Sequence, residues 1–409
     1  MERFRQRLFF VLCILIVFGM MFLDFIRVIP SIAMIGISLL GISYLVKKPL
    51  LPTKQNTIPY WALAGTFLIL LPSWFYSNNH TYLLEKWQIA LPYLVLPLAF
   101  LVIPEMSQKR TSQLYYLYFI LVLLIAVSAF IYYLLNQNFV NHLYLESKVM
   151  PSFQSHHPTF SMMLAFATYV GYWFYQSEFY YKFKQERYLF LLGGIFLFIF
   201  THVFSVRSGL MAMYILLFYE LIRFIFQKKK VAIAIFTAIG MVTIGAITLI
   251  FSPTFNNKLA NTSQDIKAYQ NHESANNKSI ASRMISYQNA IRIAKESSLF
   301  FGCGLGDVDD LNREIFKADY PEISKPIIPH NQFLFYLAAI GMSGVIIFTI
   351  LLLTPLLVNN NFKNPLLLAH YLIILISFQF EAPLESQLGV AYSLIFILLP
   401  IHQSKKIDD

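Results

Sequence analysis

Residues 112–135, SQLYYLYFILVLLIAVSAFIYYLL, contain no charged side chain. An α-helix needs about 20 apolar residues to cross the roughly 30 Å hydrocarbon core of a bilayer. This stretch is long enough and apolar enough for one such helix. It therefore predicts a chain that is embedded in a membrane.

The composition of the whole chain agrees with that prediction. Hydrophobic residues make up 57% of the 409 positions, and charged residues make up only 13%. A soluble domain of this composition would have too little polar surface to cover it. We therefore predict an all-α integral membrane protein.

Hydropathy predicts about twelve transmembrane helices. The first is too long, and too poorly followed by small residues, for a cleaved signal peptide, so we expect it to remain in the protein. The predicted segments are 7–26, 29–46, 58–76, 84–104, 112–135, 156–176, 187–205, 208–227, 230–251, 330–357, 364–380 and 386–402.

The distribution of basic residues predicts the orientation. If Arg3, Arg5 and Arg7 are cytoplasmic, every second loop is also cytoplasmic, and these loops carry basic clusters such as Lys47-Lys48 and Lys109-Arg110. The short loops assigned to the outside carry few Lys or Arg, as the positive-inside rule requires. Both termini are then cytoplasmic. The net charge of +10 follows mainly from this bias and from attraction to anionic membrane lipids, and gives no reason to expect a nucleic acid partner.

One long polar stretch interrupts the hydrophobic sequence. We call residues 252–329 the polar segment and expect it to form one large external loop that contains short helices. The predicted organisation is nine transmembrane helices in 1–251, the loop in 252–329, and three helices with a cytoplasmic tail in 330–409. The chemistry is expected in or next to the loop.

Cysteine and histidine give little support for a disulfide or a metal site. Cys13 lies in the first predicted helix and Cys303 in the polar segment, so a bridge would have to join the bilayer to the water phase. No CxxC or HxxxH spacing is present. His156 and His157 are adjacent at a predicted helix start, where neighbouring side chains diverge. We expect neither a disulfide nor a metal.

Arg207 lies at the predicted outer junction of the seventh and eighth helices, followed by Ser208 and Gly209. A helix N-terminus offers unpaired N–H groups, and a guanidinium has a planar fork that suits phosphate oxygens. This position favours an anion. The alternative is an interfacial arginine that contacts lipid headgroups.

Arg283 begins a stretch with apolar residues at helical spacing. The pattern predicts a helix lying along the membrane surface, with Ser282 as its N-cap and Arg283 in its first turn. Arg283 would then be a second cation on the external face, with Arg292, two or three turns further on, as a less favoured substitute. The alternative is a solvated surface charge.

His330 and Asn331 lie where the polar segment is predicted to re-enter the bilayer. A neutral imidazole at this position can accept a proton from a hydroxyl. Asn331 could orient a sugar or the imidazole. The alternative is that the pair is only a polar cap on the helix.

Gly302, Gly304 and Gly306 form a GxGxG pattern without the strand, helix and acidic residue of a dinucleotide-binding motif. The glycines predict a tight turn, which either lets the backbone approach a ligand or lets the segment fold back on the helices. The acidic residues that follow, Asp307, Asp309 and Asp310, are expected to be solvated.

Taken in order, these motifs resemble the O-antigen ligase and O-antigen polymerase superfamily. The likeness covers about residues 150–400 and rests on the order of five short elements: Val206-Arg207-Ser208-Gly209, Ser282-Arg283 with its helix, the GxGxG turn, Pro329-His330-Asn331, and the stretch from Glu381 to Gly389 before the last helix. Two positions depart from the family pattern, Tyr287 in the loop helix and Leu299 before the glycine turn.

The resemblance implies a GT-C-type glycosyltransferase of the bacterial inner membrane with its active site at the periplasmic face. Such an enzyme takes a glycan from undecaprenyl diphosphate and needs no metal or other cofactor. Two external arginines engage the donor diphosphate and one histidine is essential. These roles correspond to Arg207, Arg283 and His330, with supporting positions at Ser208, Gly304, Gly306 and Asn331.

The chemistry of the reaction is compatible with these roles. The leaving diphosphate carries negative charge that guanidinium groups can stabilise, and the acceptor hydroxyl must lose a proton, for which His330 is suited. Direct attack from the opposite face would invert the anomeric configuration.

Four functions remain open. A ligase would transfer the glycan to lipid A core or a similar acceptor; the single late loop favours this reading. A polymerase would join lipid-linked repeat units, and a protein O-glycan ligase would use a protein acceptor. The non-enzymatic alternative is a flippase or other transporter of lipid-linked oligosaccharides, in which charges or broken helices at the membrane midplane are usual.

Overall fold

The computed structural model describes residues 1–46, 54–146, 148–227, 229–270, 279–321, 323 and 326–403. All regular elements among these residues are helical. The prediction of an all-α protein is therefore confirmed.

Nine stretches of the described residues are long and apolar enough to cross a membrane. They fit the predicted multi-pass membrane protein. Each of the other three predicted segments also contains a helix, but the exact number of crossings stays a prediction. The nine stretches are Glu2–Met21, Val28–Leu45, Asn56–Phe75, His80–Val102, Gln108–Leu135, Glu186–Phe204, Arg207–Phe226, Val231–Phe251 and Gln332–Lys363.

The chain divides into two compact units. Unit 1 comprises Met1–Leu117, Ser282–Tyr371 and Phe378–Asp409. Its helices are α1 (Glu2–Met21), α2 (Val28–Leu45), α3 (Lys54–Leu68), α4 (His80–Ala90), α5 (Pro92–Val102), the first part of α6 (Gln108–Leu135), most of α13 (Ser279–Glu296), α14 (Val308–Asp319), α15 (Gln332–Leu357), most of α16 (Pro365–Phe380) and α17 (Gln387–Gln403).

Unit 2 comprises Tyr118–Ala281 and Leu372–Ser377. It contains the rest of α6 and of α16, the start of α13, and six complete helices. These are α7 (Gln137–Leu145), α8 (His157–Gln176), α9 (Glu186–Phe204), α10 (Arg207–Ile222), α11 (Val231–Phe251) and α12 (Pro253–Gln270).

Helix α17 forms the core of unit 1. It is apolar on all sides and buried from Leu388 to His402, as expected for a central helix. Its polar Ser393 is satisfied inside the core, because its hydroxyl lies 2.8 Å from the Tyr93 hydroxyl and its carbonyl oxygen lies 3.1 Å from Nε2 of His370. The short turn that precedes α17 is thereby fixed to the centre of the unit.

Helix α8 is the core of unit 2 and packs closely on α9 and α10. A Cβ on Gly171 would lie 2.8 Å from the carbonyl oxygen of Phe190, and one on Gly209 would lie 2.4 Å from Cβ of Ser161. These contacts require glycine at both positions. Helix α11, by contrast, exposes most of its apolar surface, as a helix that faces lipid does.

The glycine turn of the polar segment is attached to a break in α15. Gly341 has φ +67° inside this helix, which interrupts the helical hydrogen bonds. The backbone of the turn takes their place: Cys303 N donates to Ala338 O over 2.8 Å, and Met342 N donates to Leu299 O over 2.9 Å. The broken helix and the turn therefore satisfy each other's backbone groups.

The structure favours the fold-back reading of the glycine pattern. Gly304 has φ +97°, and a Cβ there would lie 2.3 Å from the Ser77 hydroxyl; at Gly306 it would lie 2.5 Å from Asn79 O. Both glycines therefore face protein within unit 1. They allow the polar segment to fold against the residues between α3 and α4.

Asp307 corrects one expectation. Its carboxylate is buried and accepts hydrogen bonds from the backbone N–H groups of Asn78 and Asn79 over 2.8 to 2.9 Å. The prediction that it is solvated was wrong, because these N–H groups lie next to it at the start of α4 and need an acceptor. Burial raises the pKa of the Cys303 thiol to about 12, and the negative charge of the Asp307 carboxylate adds to this rise.

Substitution of Gly302 tests the attachment of the turn to α15. Gly302 has φ +75°, and a Cβ there would lie 2.5 Å from backbone atoms of Ala339. We expect Gly302→Ala to lower the stability by about 1–3 kcal/mol or more, measured as a drop in the thermal unfolding midpoint in detergent.

Gly240→Ala in α11 is the matched control. Among the described residues, no atom outside the backbone of its own helix lies within 4 Å of its Cβ position, so this change should leave the midpoint unchanged or raise it slightly. An equal midpoint for Gly302→Ala and the unsubstituted protein would contradict the close packing described here.

Candidate functional site

Glu381 joins two of the predicted site residues. Its Oε1 accepts a hydrogen bond from Nη2 of Arg283 over 2.5 Å, and its Oε2 lies 2.7 Å from Nδ1 of His330. All three residues belong to unit 1. Arg283, predicted to bind the diphosphate, and His330, predicted to accept a proton, therefore share the carboxylate of Glu381.

Arg283 is presented by α13. This helix begins at Ser279, so Ser282 lies inside it, and the prediction of Ser282 as N-cap was wrong. Part of the apolar side of α13 packs inside unit 1: Ile285 and Ile293 are buried, and Asn289 lies 3.4 Å from Asn312 of α14. Met284 and Ile291 are exposed, so the position of this helix along a membrane surface stays a prediction. The packing of α13 holds the base of the arginine side chain.

His330 is held by the start of α15. Asn331 is the N-cap of that helix, because its Oδ1 accepts from Leu334 N over 3.0 Å, and its Nδ2 donates to Gln379 O over 3.2 Å. The Tyr287 hydroxyl lies 2.8 Å from His330 O and 3.2 Å from Gln379 O. Three parts of the chain therefore fix the backbone around the imidazole.

Tyr287 acts as a donor in this arrangement. Burial raises the pKa of its phenol; the Arg283 guanidinium opposes that rise and the Glu381 carboxylate adds to it. The hydroxyl therefore stays protonated at neutral pH and can donate to the two carbonyl oxygens.

The carboxylate of Glu381 determines the tautomer of the imidazole. An ionised carboxylate only accepts hydrogen bonds, so the neighbouring Nδ1 carries the proton and Nε2 of a neutral ring has a free lone pair. In the described part of the chain no group forms a hydrogen bond with Nε2. The histidine side chain is 31% exposed, against 16% for Glu381, so the ring can be reached while its orienting partner is largely covered.

A second ion pair secures the turn that carries Glu381. Nζ of Lys86 lies 2.9 Å from Oε2 of Glu385, and the two side chains are only 11% and 7% exposed. Gln332 completes the contact: its Nε2 donates to Glu385 and its Oε1 accepts from Leu384 N. Because a buried charge is costly without its partner, this network fixes the turn to the first residue of α15.

Arg207 is the first residue of α10 in unit 2, as predicted. Its Nη2 donates to the Thr262 hydroxyl on α12, so it already contacts the polar segment. Ser208 is buried and lies 3.2 Å from the Ser161 hydroxyl, which makes it a packing residue of α8 and α10.

The structure thus brings Arg283 and His330 together through Glu381. Arg207 lies in the other unit, and its convergence with them stays a prediction. Sequence reasoning placed Glu381 in the last family motif but gave it no role. The sequence signal that could have indicated a role for Glu381 was that its carboxylate lies on the same predicted membrane face as His330.

Cysteine and metal-ligating side chains add no further site. Cys13 and Cys303 are both buried and free. In the ranges that the structure describes, no group of three or more His, Cys, Asp and Glu side chains is arranged to hold a metal ion. A reaction without metal stays an expectation from the family resemblance.

The helices and candidate spans define a multi-pass α-helical membrane protein with a charged cluster beside its polar segment. Comparison with protein families gives a match over part of the chain. Residues 189–349 match the O-antigen ligase family, which confirms the resemblance seen in the motifs and supports the O-antigen ligase superfamily. This range includes Arg207, Arg283 and His330. Among curated proteins no match was found.

Removal of the shared carboxylate tests the cluster. Glu381→Ala leaves Arg283 and His330 without their acceptor, and each hydrogen bond to a charged group contributes about 1.5–3 kcal/mol. We expect a clear fall in the thermal unfolding midpoint in detergent, without loss of membrane insertion.

Arg313→Ala serves as the comparison variant. It breaks the ion pair between Arg313, whose side chain is 67% exposed, and Asp309. This change should lower the free energy of unfolding by only about 0–1 kcal/mol. If Glu381→Ala proved no more destabilising than Arg313→Ala, the cluster would not have the structural role assigned to it.

Proposed function

We propose that this protein is an O-antigen ligase-like glycosyltransferase. It transfers a glycan from undecaprenyl diphosphate to a hydroxyl of lipid A core or a similar acceptor at the periplasmic face of the inner membrane. The family match supports the general class. The donor, the acceptor, the GT-C-type architecture and the mechanism are part of the proposal.

One observation carries the mechanism: Glu381 holds a guanidinium and an imidazole on its two oxygens. Glycosyl transfer from a diphosphate needs these two chemical groups, a cation for the leaving group and a base for the acceptor. Their common partner holds them at one place.

Arg283 stabilises the leaving diphosphate. A guanidinium has five N–H donors in a planar fork, and Glu381 engages Nη2, so the other donors can reach phosphate oxygens. Arg207, at the N-terminus of α10, supplies the second cation, and its neighbouring backbone N–H groups favour an anion. Both charges oppose the negative charge that develops as the anomeric C–O bond breaks.

His330 accepts the proton of the acceptor. The acceptor oxygen bonds to the anomeric carbon while its proton passes to Nε2, and undecaprenyl diphosphate leaves with the electrons of the broken C–O bond. Glu381 stabilises the resulting imidazolium through Nδ1. A single displacement of this kind inverts the anomeric configuration, so a product linkage with retained configuration would exclude it.

The same cluster suits a polymerase or a protein O-glycan ligase, which differ only in the acceptor. A flippase or transporter is the alternative of a different class. It would need no base with a free lone pair, whereas the ring of His330 presents one beside the carboxylate.

Substitution of the three predicted site residues tests the enzyme class. His330→Ala should lower the transfer rate by about 10²–10⁴-fold because the general base is lost. Arg283→Ala and Arg207→Ala should each lower the transfer rate by about 10²–10³-fold, because a cation that stabilises the leaving diphosphate is lost. Arg283→Lys should also be impaired, because an ammonium lacks the planar fork. The measurement is glycan transfer by purified protein in detergent or nanodiscs.

Arg292→Ala is the matched control, because Arg292 lies on the same helix as Arg283 but pairs at the surface with Glu296 and Asp319. It should retain activity. A transporter would be supported instead if His330→Ala, Arg283→Ala and Arg207→Ala were all present in the membrane at normal levels and all kept full activity.

The acceptor is tested by supplying purified protein with an undecaprenyl-diphosphate glycan, with and without lipid A core. We expect a product only when the core is present. Longer lipid-linked chains without the core would identify a polymerase. Transfer to an added protein acceptor alone would identify a protein O-glycan ligase.

A further inference from the structure

Leu299, Phe300 and Phe301 are an exposed apolar triplet inside the polar segment. Their exposed fractions are 51%, 61% and 60%. We propose that this triplet inserts into the interfacial region of the phospholipid bilayer and anchors the polar segment to the membrane. This inference is independent of the proposed enzymatic function.

The attachment of the triplet to α15 places it at a membrane boundary. Met342 N donates to Leu299 O over 2.9 Å, and the Ser343 hydroxyl donates to Phe300 O over 2.7 Å. The candidate span Gln332–Lys363 has 32 residues, whereas one crossing takes about 20. About 20 residues counted back from Leu357, the last residue of α15, end at Ala338, whose carbonyl oxygen accepts from Cys303 N two residues after the triplet.

A second span gives the same boundary. The candidate span Asn56–Phe75 has 20 residues and ends at Phe75. The next residue, Tyr76, donates from its hydroxyl to Phe301 O over 3.3 Å. In both spans the triplet therefore lies about one membrane crossing from the opposite end of the helix.

The surroundings have the composition of a membrane interface. Trp74 is 42% exposed and Tyr76 is 39% exposed, and Trp and Tyr are enriched where bilayer and water meet. On α15 the apolar surface continues through exposed Ile346 and Ile347 into the span. The triplet thus extends a surface that already faces lipid, which favours lipid over a protein partner as its neighbour.

The exposure of the triplet is fixed by the backbone. Gly302 follows it with φ +75° and packs against Ala339, while α15 holds residues 299 and 300 by hydrogen bonds. The side chains therefore cannot turn inward without breaking this attachment. Bilayer contact removes this apolar surface from water, which favours insertion.

Site-specific fluorescence quenching tests the proposal. Phe301→Cys would be labelled with an environment-sensitive fluorophore in the full-length protein, in nanodiscs of phosphatidylethanolamine and phosphatidylglycerol. Quenching would be measured with doxyl-labelled lipid and with aqueous iodide. Leu299→Cys provides a second site in case Phe301→Cys fails to fold, and the unsubstituted protein reports labelling of the buried native cysteines.

Two variants provide the reference values. Val242 of α11 is 74% exposed, and Val242→Cys represents the lipid face. The Arg313 side chain of α14 is 67% exposed, and Arg313→Cys represents the aqueous face. We expect the label at 301 or 299 to be quenched by doxyl lipid several-fold more than the label at 313, and to be protected from iodide. Iodide quenching equal to that at 313 would overturn the proposal. Protection from both quenchers would also overturn it, because it would indicate a covering protein or a second copy of the chain.

Discussion

The Glu381 carboxylate is the interaction on which the candidate site depends. One carboxylate that accepts from a guanidinium over 2.5 Å and lies 2.7 Å from an imidazole fixes the position of both. Charge-assisted hydrogen bonds of this length are among the stronger ones in proteins. Without the carboxylate, the guanidinium and the imidazole would lose their common acceptor, and the imidazole would lose its preferred tautomer.

The carboxylate can do this only because its own turn is fixed. Glu385 is anchored by Lys86 and Gln332, and a Cβ on Gly389 would lie 2.1 Å from Pro383 O, so the chain from Glu381 to α17 has little freedom. The histidine lies two residues before Gln332. One buried ion pair therefore sets the distance between the carboxylate and the start of α15, where the imidazole is carried.

Local patterns were enough to predict the helices and Arg207 at a helix junction, and they gave a helix cap as the alternative role of Asn331, because each depends on residues close in sequence. Contacts between distant residues were not predictable in this way. Glu381 is 98 residues from Arg283, and nothing in its own surroundings indicates that partner. The prediction that Asp307 is solvated was wrong for the same reason, because its carboxylate accepts from the backbone N–H groups of residues 78 and 79, which are distant in sequence.

Helix α13 and the triplet at 299–301 differ in how their apolar side chains are placed. Ile285 and Ile293 of α13 are buried inside unit 1, whereas Met284 and Ile291 of the same helix are exposed. The triplet at 299–301 has no helical period, but its backbone is tied to a break in α15, so its side chains have to point away from the protein. For a short apolar run, attachment of the backbone therefore decides what the side chains face, and periodicity does not.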